Sequence, residues 1–192
     1  MLKTDILINK RMNKAIFLDR DGTLNYDDGI TSKTTDFKLF PNVIPGLKLL
    51  KDKFLLFVVT NQSGIARGHY SIEDVKRCNE SMLKRFEGED IKIQEVYVCP
   101  HHPKENCDCR KPATKFIKLA EEKYDIDLKN SYVIGDKPTD IEMGMKVGCK
   151  TIYVLTGHGM NHILELNEKG IKPTLITNNL YDAILWIAQN EV

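Results

Sequence analysis

An α/β fold built on a doubly wound, mostly parallel sheet is predicted by three features of this sequence. Short apolar, β-branched or aromatic runs alternate with helix-like stretches, and polar, reactive residues stand directly after several of those runs. No repeat, low-complexity linker or composition shift divides the 192 residues. Strands alternating with helices pair in parallel through crossover helices. A chain of this length also buries a core without help from disulfides.

The predicted strands cover 14–18, 54–59, 94–98, 131–134, 150–155 and 173–176, and the predicted helices 43–51, 71–86, 112–124, 138–147 and 180–189. Ser71 followed by Asp74 is a capping pattern with an acidic first turn. Pro112 and Pro138 suit first-turn positions, where a missing N–H costs little. Residues 1–13 read as an N-terminal extension ahead of a single domain over 14–192. They mix Lys3, Asp5, Lys10 and Arg11 with Ile and Leu and lack the apolar core of a signal peptide. No run approaches the roughly 20 apolar residues of a spanning helix, so a cytoplasmic protein is expected. Hydrophobic residues at 42% and charged residues at 29% are ordinary for soluble proteins. A net charge of +1 excludes a broad field for nucleic acid or anionic membrane. Neither is expected as a partner, a monomer is expected, and any preference for anions must be local.

The polar residues after the strands are the informative part. Asp19 and Asp21 follow the first, Thr60 and Asn61 the second, Cys99 and His101 the third, Gly135 and Asp136 the fourth. In open parallel sheets the ligand crevice lies outside the carboxyl ends of the strands, so a site is expected there. In extended chain, residues two apart point the same way, about 6.6 Å apart at roughly 3.3 Å per residue. Asp19 and Asp21 are thus expected to face one pocket, with Arg20 turned away and Gly22 allowing the turn out of the strand. Two carboxylates so close repel one another, and a hard divalent cation such as Mg²⁺ relieves that repulsion. A carboxylate beside such an ion can attack phosphorus, and its neighbour can move the proton.

A second cluster is Cys99-Pro100-His101-His102-Pro103, leading to Cys107-Asp108-Cys109-Arg110-Lys111-Pro112. Three of the five cysteines lie here. Cys99, His101, Cys107 and Cys109 make the Cys₃His set of a closed, structural Zn²⁺ site, with His101 preferred to His102 because CxH and CxC then form two matching pairs. Such a site pins a loop rather than doing chemistry. Its end places Arg110 and Lys111 at the expected start of a helix, a location favourable to anions. Lys111 is expected to clamp the phosphate charge and Arg110 to reach a more distal substrate group. Cys78 and Cys149 read as core filling, and His69, His158 and His162 as solvated histidines without a role.

Asp19-Arg20-Asp21-Gly22-Thr23 resembles the first motif of the haloacid dehalogenase superfamily, Thr60 the second, and Gly135-Asp136 with Asp140 the fourth. The resemblance implies a Rossmann-type, haloacid dehalogenase-like phosphatase. Asp19 would then be the nucleophile and Asp21 the general acid/base. Thr60 would hydrogen-bond the phosphoryl group, and Asp19, the Asp21 carbonyl and Asp136 would hold Mg²⁺. No large cap domain fits the short gaps after Leu24 and Arg67, so substrate selection would fall to the zinc loop and the 27–36 loop.

The runs CPHHP…CDCRKP, TNQSGIARG from Thr60 to Gly68, and GDKPTD from Gly135 to Asp140 are similar to those of D-glycero-D-manno-heptose 1,7-bisphosphate 7-phosphatases. That resemblance implies a zinc-stabilised, Mg²⁺-dependent enzyme of heptose and lipopolysaccharide precursor synthesis, acting on a small phosphorylated sugar. It implies substrate contacts from Asn61, Ser63 and the amides of Gln62 to Gly64, and support of the metal end by Lys137. Asp27 and Gly29 fall in the sugar-contacting stretch, where Asp28 and Ile30 depart from the Asp-His-Gly-Tyr of that family. Histidinol-phosphate phosphatases share the aspartates and the zinc loop and are the alternative. The five residues between His101 and Cys107 match their spacing, whereas Ser63 to Gly68 fits the heptose branch. A polynucleotide 3′-phosphatase would need a long basic groove, and a zinc-containing nucleic-acid module would leave the aspartates unexplained.

Overall fold

The computed structural model describes residues 12–27 and 37–191. Six strands form one all-parallel sheet: β1 Ala15–Leu18, β2 Leu55–Asn61, β3 Ile93–Cys99, β4 Tyr132–Gly135, β5 Lys150–Val154 and β6 Leu175–Thr177. The helices are α1 Val43–Leu50, α2 Ile72–Glu87, α3 Lys115–Tyr124, α4 Pro138–Val147, α5 Gly159–Glu168 and α6 Leu180–Asn190, with a short 3₁₀ turn at Leu128–Asn130.

The strand order is β3-β2-β1-β4-β5-β6. The chain winds outward from β1 through β2 to β3, then returns to the other side of β1 and winds outward again. Strand order therefore reverses between β1 and β4, the switch point at which such sheets open a crevice. Successive side chains of a strand point to opposite faces, and the core divides accordingly. Ile16, Leu18, Leu56 and Val58 pack with Leu47 and Leu50 of α1, Cys78, Met82 and Phe86 of α2, and Ile184 and Ile187 of α6. Ala15, Phe17, Phe57 and Val59 pack on the other face with Ile117 and Ala120 of α3 and Met143 of α4, and Cys149 joins them. Ile141, Tyr153 and Leu166 extend that layer under α5. Strands buried on both faces need near-continuous apolar runs, which is what made them legible.

Three points about the elements differ from expectation. α3 starts at Lys115, with Thr114 as its N-cap, not at Pro112. β6 starts at Leu175, two residues later than predicted. Nothing in the sequence reading anticipated α5, a ten-residue helix that follows the glycine-containing turn after β5. Arg20 does not line the cavity; its side chain is wholly buried and reaches Asn79 of α2. Among the described residues no helix is long and apolar enough to cross a membrane.

Candidate active site

The carboxyl ends of β1 and β4 bring Asp19 and Asp136 together, and the first turn of α4 adds Asp140. One carboxylate oxygen from each of the three lies within 4.8 Å of the others, and all three residues are buried. Lys111 sits among them. Its Nζ is 2.7 Å from Asp19 Oδ1, 2.6 Å from Asp140 Oδ1 and 2.8 Å from the Val59 carbonyl. Burial would lower the Lys111 pKa, but Asp140 and Asp19 outweigh it and hold the ammonium charged. Asp19 Oδ1 also accepts from the Arg20 backbone N–H at 2.7 Å, so two donors fix that carboxylate.

The Asp136 carboxylate is only half satisfied by the protein. Its Oδ2 accepts from the His158 backbone N–H at 2.8 Å, while its Oδ1 is buried with no hydrogen-bond partner. Burial first, and then the Asp19 charge, push its pKa up to about 8. Asp140 is pushed up to about 6 for the same first reason, with Lys111 opposing. An orphaned oxygen among three converging carboxylates fits a hard divalent cation, which takes oxygen ligands. Gly22 makes this approach possible: its φ is +87°, and a Cβ there would collide with the Asp136 carboxylate.

Asp21 stands three residues past the end of β1, and its carboxylate is engaged on every side. Arg20 grips it with two bonds, Nε to Oδ1 at 3.0 Å and Nη2 to Oδ2 at 2.8 Å. Asn25 Nδ2 donates to Oδ1 at 2.9 Å and Gln62 Nε2 to Oδ2 at 2.6 Å. Burial raises its pKa, but Arg20 and these hydrogen bonds more than offset that and bring it below the ordinary carboxylate value.

A cavity of about 320 Å³ opens over this edge, lined by Asp19, Asp21, Asn61, Ser63, Arg110, Lys111, Lys137, His162 and Glu165 among others. A smaller cavity of about 190 Å³ adjoins it, with Asp27, Arg67, His69 and Tyr70 joining Asn61, Ser63 and Lys137. Arg110 Nη1 is buried without a partner. Thr60 is buried at the end of β2, its hydroxyl 2.8 Å from Gln62 Nε2. Asn61 reaches across to the loop after β3: its Oδ1 accepts from the Lys111 N–H at 3.1 Å and its Nδ2 donates to the Lys111 carbonyl at 3.4 Å. Asp27 lies 3.1 Å from His158 Nε2 and 3.6 Å from Lys137 Nζ. Gly29 lies outside the described residues.

Some expected roles take a different form. Gln62 turns inward instead of toward substrate. Its N–H donates to the Cys99 carbonyl at 2.7 Å, and its side chain is spent on Asp21, Thr60 and Tyr70. Lys137 is no metal ligand through its side chain, because an ammonium has no lone pair; it lines the cavity as a cation. Arg110 and Lys111 precede α3 by several residues, so loop contacts rather than a helix terminus hold them.

In the loop after β3, Cys99 Sγ is 3.7 Å from Cys107 Sγ, and Cys109 Sγ is 3.8 Å from Cys107 Sγ. His101 Nδ1 lies 3.6 Å from Cys99 Sγ and 3.3 Å from Cys109 Sγ. Sulfurs this far apart share no disulfide. Metal–sulfur bonds of about 2.3 Å around a tetrahedral Zn²⁺ give edges of this size, so the cluster is compatible with zinc. His102 instead serves its own turn, its N–H donating to Glu105 Oε1 at 2.7 Å.

The HAD-hydrolase-like family profile matches residues 108–183. A D-glycero-alpha-D-manno-heptose-1,7-bisphosphate 7-phosphatase of Campylobacter jejuni is 41% identical over 143 residues, 74% of this chain and 82% of the relative. A D-glycero-beta-D-manno-heptose-1,7-bisphosphate 7-phosphatase of Haemophilus ducreyi is 39% identical over 183 residues, 91% of this chain and 98% of the relative. The chain belongs to the heptose 1,7-bisphosphate 7-phosphatase family. A crystal structure of the D,D-heptose 1,7-bisphosphate phosphatase from B. bronchiseptica, complexed with magnesium and phosphate, superposes with a TM-score of 0.83 at 27% identity. It covers 92% of this chain and 99% of that one.

Within this 7-phosphatase family member, α5 supplies the parts that sequence reasoning missed. The Thr156 hydroxyl donates to the Gly22 carbonyl at 2.7 Å, locking the turn after β5 onto the turn after β1. The His158 N–H holds Asp136, and His162 with Glu165 forms part of the cavity wall. Ile163 and Leu166 sit three apart and both pack inward. That short spacing was the one signal in the sequence, and Gly157 and Gly159 masked it. Asp140 belongs to the fourth-motif resemblance, but spacing along the chain does not reveal its pairing with Lys111.

Proposed function

We propose that this chain is a phosphomonoester hydrolase that removes the 7-phosphate of D-glycero-D-manno-heptose 1,7-bisphosphate through an aspartyl-phosphate on Asp19. The observation that carries the reading is the convergence of Asp19, Asp136 and Asp140 around Lys111 at the switch point of the sheet. A bound Mg²⁺ would be held by Asp19, Asp136 and the Asp21 carbonyl and would neutralise charge on the transferring phosphoryl group. The protein supplies the rest. An Asp19 oxygen bonds to phosphorus as the P–O bond to C7 of the sugar breaks; Asp21, ionised before substrate arrives, takes up a proton from solvent beside the incoming phosphate dianion and gives it to the departing oxygen. Asp21 then takes a proton from water as that water cleaves the acyl phosphate, which returns Asp19 and releases inorganic phosphate. Lys111 and the Thr60 hydroxyl meet the equatorial oxygens, where most of the acceleration must come from fixed charge and dipoles.

Arg110, with a buried donor unpaired, and Ser63, Asn61, Asp27 and Lys137 around the paired cavities are the substrate-facing groups. The Cys99, His101, Cys107 and Cys109 cluster holds a structural Zn²⁺ in this reading. A cytoplasmic location goes with it, supported by five cysteines of which none is in a disulfide, as suits a reducing compartment.

Phosphate release from both anomers of the heptose bisphosphate and from histidinol phosphate, with Mg²⁺ and with EDTA, tests the reading. One heptose anomer should be hydrolysed with the highest kcat/KM, and only with the metal. Faster turnover of histidinol phosphate, or undiminished turnover in EDTA, would refute it.

A further inference from the structure

Among the described residues Arg20 heads the wholly buried side chains in size, and it comes from a position between the two motif aspartates. Fully buried arginines occur almost only when paired, and here the pairing leads somewhere specific. Two of its nitrogens grip Asp21, while the third, Nη1, donates to Asn79 Oδ1 at 2.9 Å. Asn79 lies on the buried face of α2 beside Val75, Cys78, Met82 and Phe86, an otherwise apolar row. A second arm reaches Asp21 from the cavity side. Gln62 donates to Asp21, and its Oε1 accepts from the Tyr70 hydroxyl at 2.8 Å. The Tyr70 ring in turn lies against Gly64, where a Cβ would collide with it.

Resting on the reading of Asp21 as the proton donor, we infer that Asn79 and Tyr70 are positioning residues for that proton transfer. They act through Arg20 and Gln62, which set where the Asp21 carboxylate stands over the cavity. Neither side chain belongs to the carboxylate cluster or lines the larger cavity over it; Tyr70 borders only the smaller cavity, and Asn79 borders neither. A carboxylate free to swing would still leave Asp19, Lys111 and the cation site intact and would fail only in delivering the proton. The loss should therefore depend on the leaving group. A sugar alkoxide needs a proton as it departs, whereas 2,4-dinitrophenolate does not.

The test measures kcat/KM, which reports steps through formation of the phosphoenzyme. It compares the alkyl phosphate ester that the protein hydrolyses fastest with 2,4-dinitrophenyl phosphate. Asp21→Asn serves as the reference, expected to lose about 10²–10⁴-fold on the alkyl ester and far less on the aryl ester. Asn79→Leu and Tyr70→Phe should each lose about 10-fold or more on the alkyl ester and stay within roughly 2-fold of wild type on the aryl ester, the same selectivity in weaker form. Asn79→Leu removes a buried acceptor from a charged group, so its thermal unfolding is followed alongside. Tyr70→Phe, at a half-buried position, keeps the test open if that variant does not fold. Selective loss in Asp21→Asn with equal losses on both esters in Asn79→Leu and Tyr70→Phe would overturn the inference and leave the acid role standing. Equal losses in Asp21→Asn would overturn both.

Discussion

At the scale of single residues, the site is a set of charges that folding forces together. Asp19, Asp136 and Asp140 would repel one another apart from Lys111, and the unpaired Asp136 oxygen marks where the compensation is incomplete. Asp19→Asn should abolish turnover while leaving the circular dichroism spectrum unchanged, since Lys111 keeps Asp140 as a partner; appreciable activity would remove Asp19 from the nucleophile role. Asp136 gives a pH signature. Folded chain holds its proton up to about pH 8, whereas the unfolded chain releases it near 3.8. The folded state thus binds more protons across that window, so metal-free stability falls as pH rises through it. We expect a loss of about 2–5 kcal/mol between pH 4 and 8 in EDTA, read from denaturant unfolding. Saturating Mg²⁺ should recover about 2.7 kcal/mol at a hundred times its Kd near pH 8. A flat profile in EDTA, or no response to Mg²⁺, would contradict the assignment of this cluster to a cation.

At the scale of elements, the chemistry depends on a loop with no regular structure of its own. The segment from Cys99 to Lys111 is tied at one end by the thiol and imidazole cluster, and at the other by the two bonds from Asn61 to the Lys111 backbone. A structural Zn²⁺ contributes ordering free energy directly to such a segment. Removing zinc, or Cys107→Ser, should lower kcat/KM and raise hydrogen exchange across this loop while the sheet stays protected. Unchanged kinetics in verified zinc-free protein would refute the coupling. Asn61→Ala should cost up to about 10²-fold in turnover, because a displacement of about 1 Å at a reacting group has effects of that size. Much of this was readable beforehand: the residue types and their spacing named the cluster, and the apolar runs named the strands. The start of α3 was not, because Pro112 fits a first helical turn as well as the turn it occupies here.

At the scale of the whole molecule, the two ends of the sheet do different work. The carboxyl edge concentrates unsatisfied charge, whereas at the amino edge Lys14, Lys150 and Tyr132 converge on Glu191 just after α6. The Glu191 side chain is 7% exposed. Burial raises its pKa, but the hydrogen bonds from Lys14, Lys150 and Tyr132 bring it down to about 2. That stability is present above the unfolded value of 4.5 and is lost as pH falls toward about 2. Glu191→Gln should therefore cost about 1–3 kcal/mol at neutral pH, with the gap to wild type closing in acid. An equal gap at both pH values would place the effect in packing rather than charge. By itself the sequence determined the alternation of strands and helices, the aspartates at a strand end and the thiols in one short loop. These are local facts, carried by apolar periodicity and by spacing along the chain. Only the tertiary structure decided that α5 walls the cavity, that Arg20 is buried against Asp21 and Asn79, and that Asp140 shares Lys111 with Asp19. Those contacts join residues far apart in the chain, and no local periodicity records which distant charge will cancel a buried one.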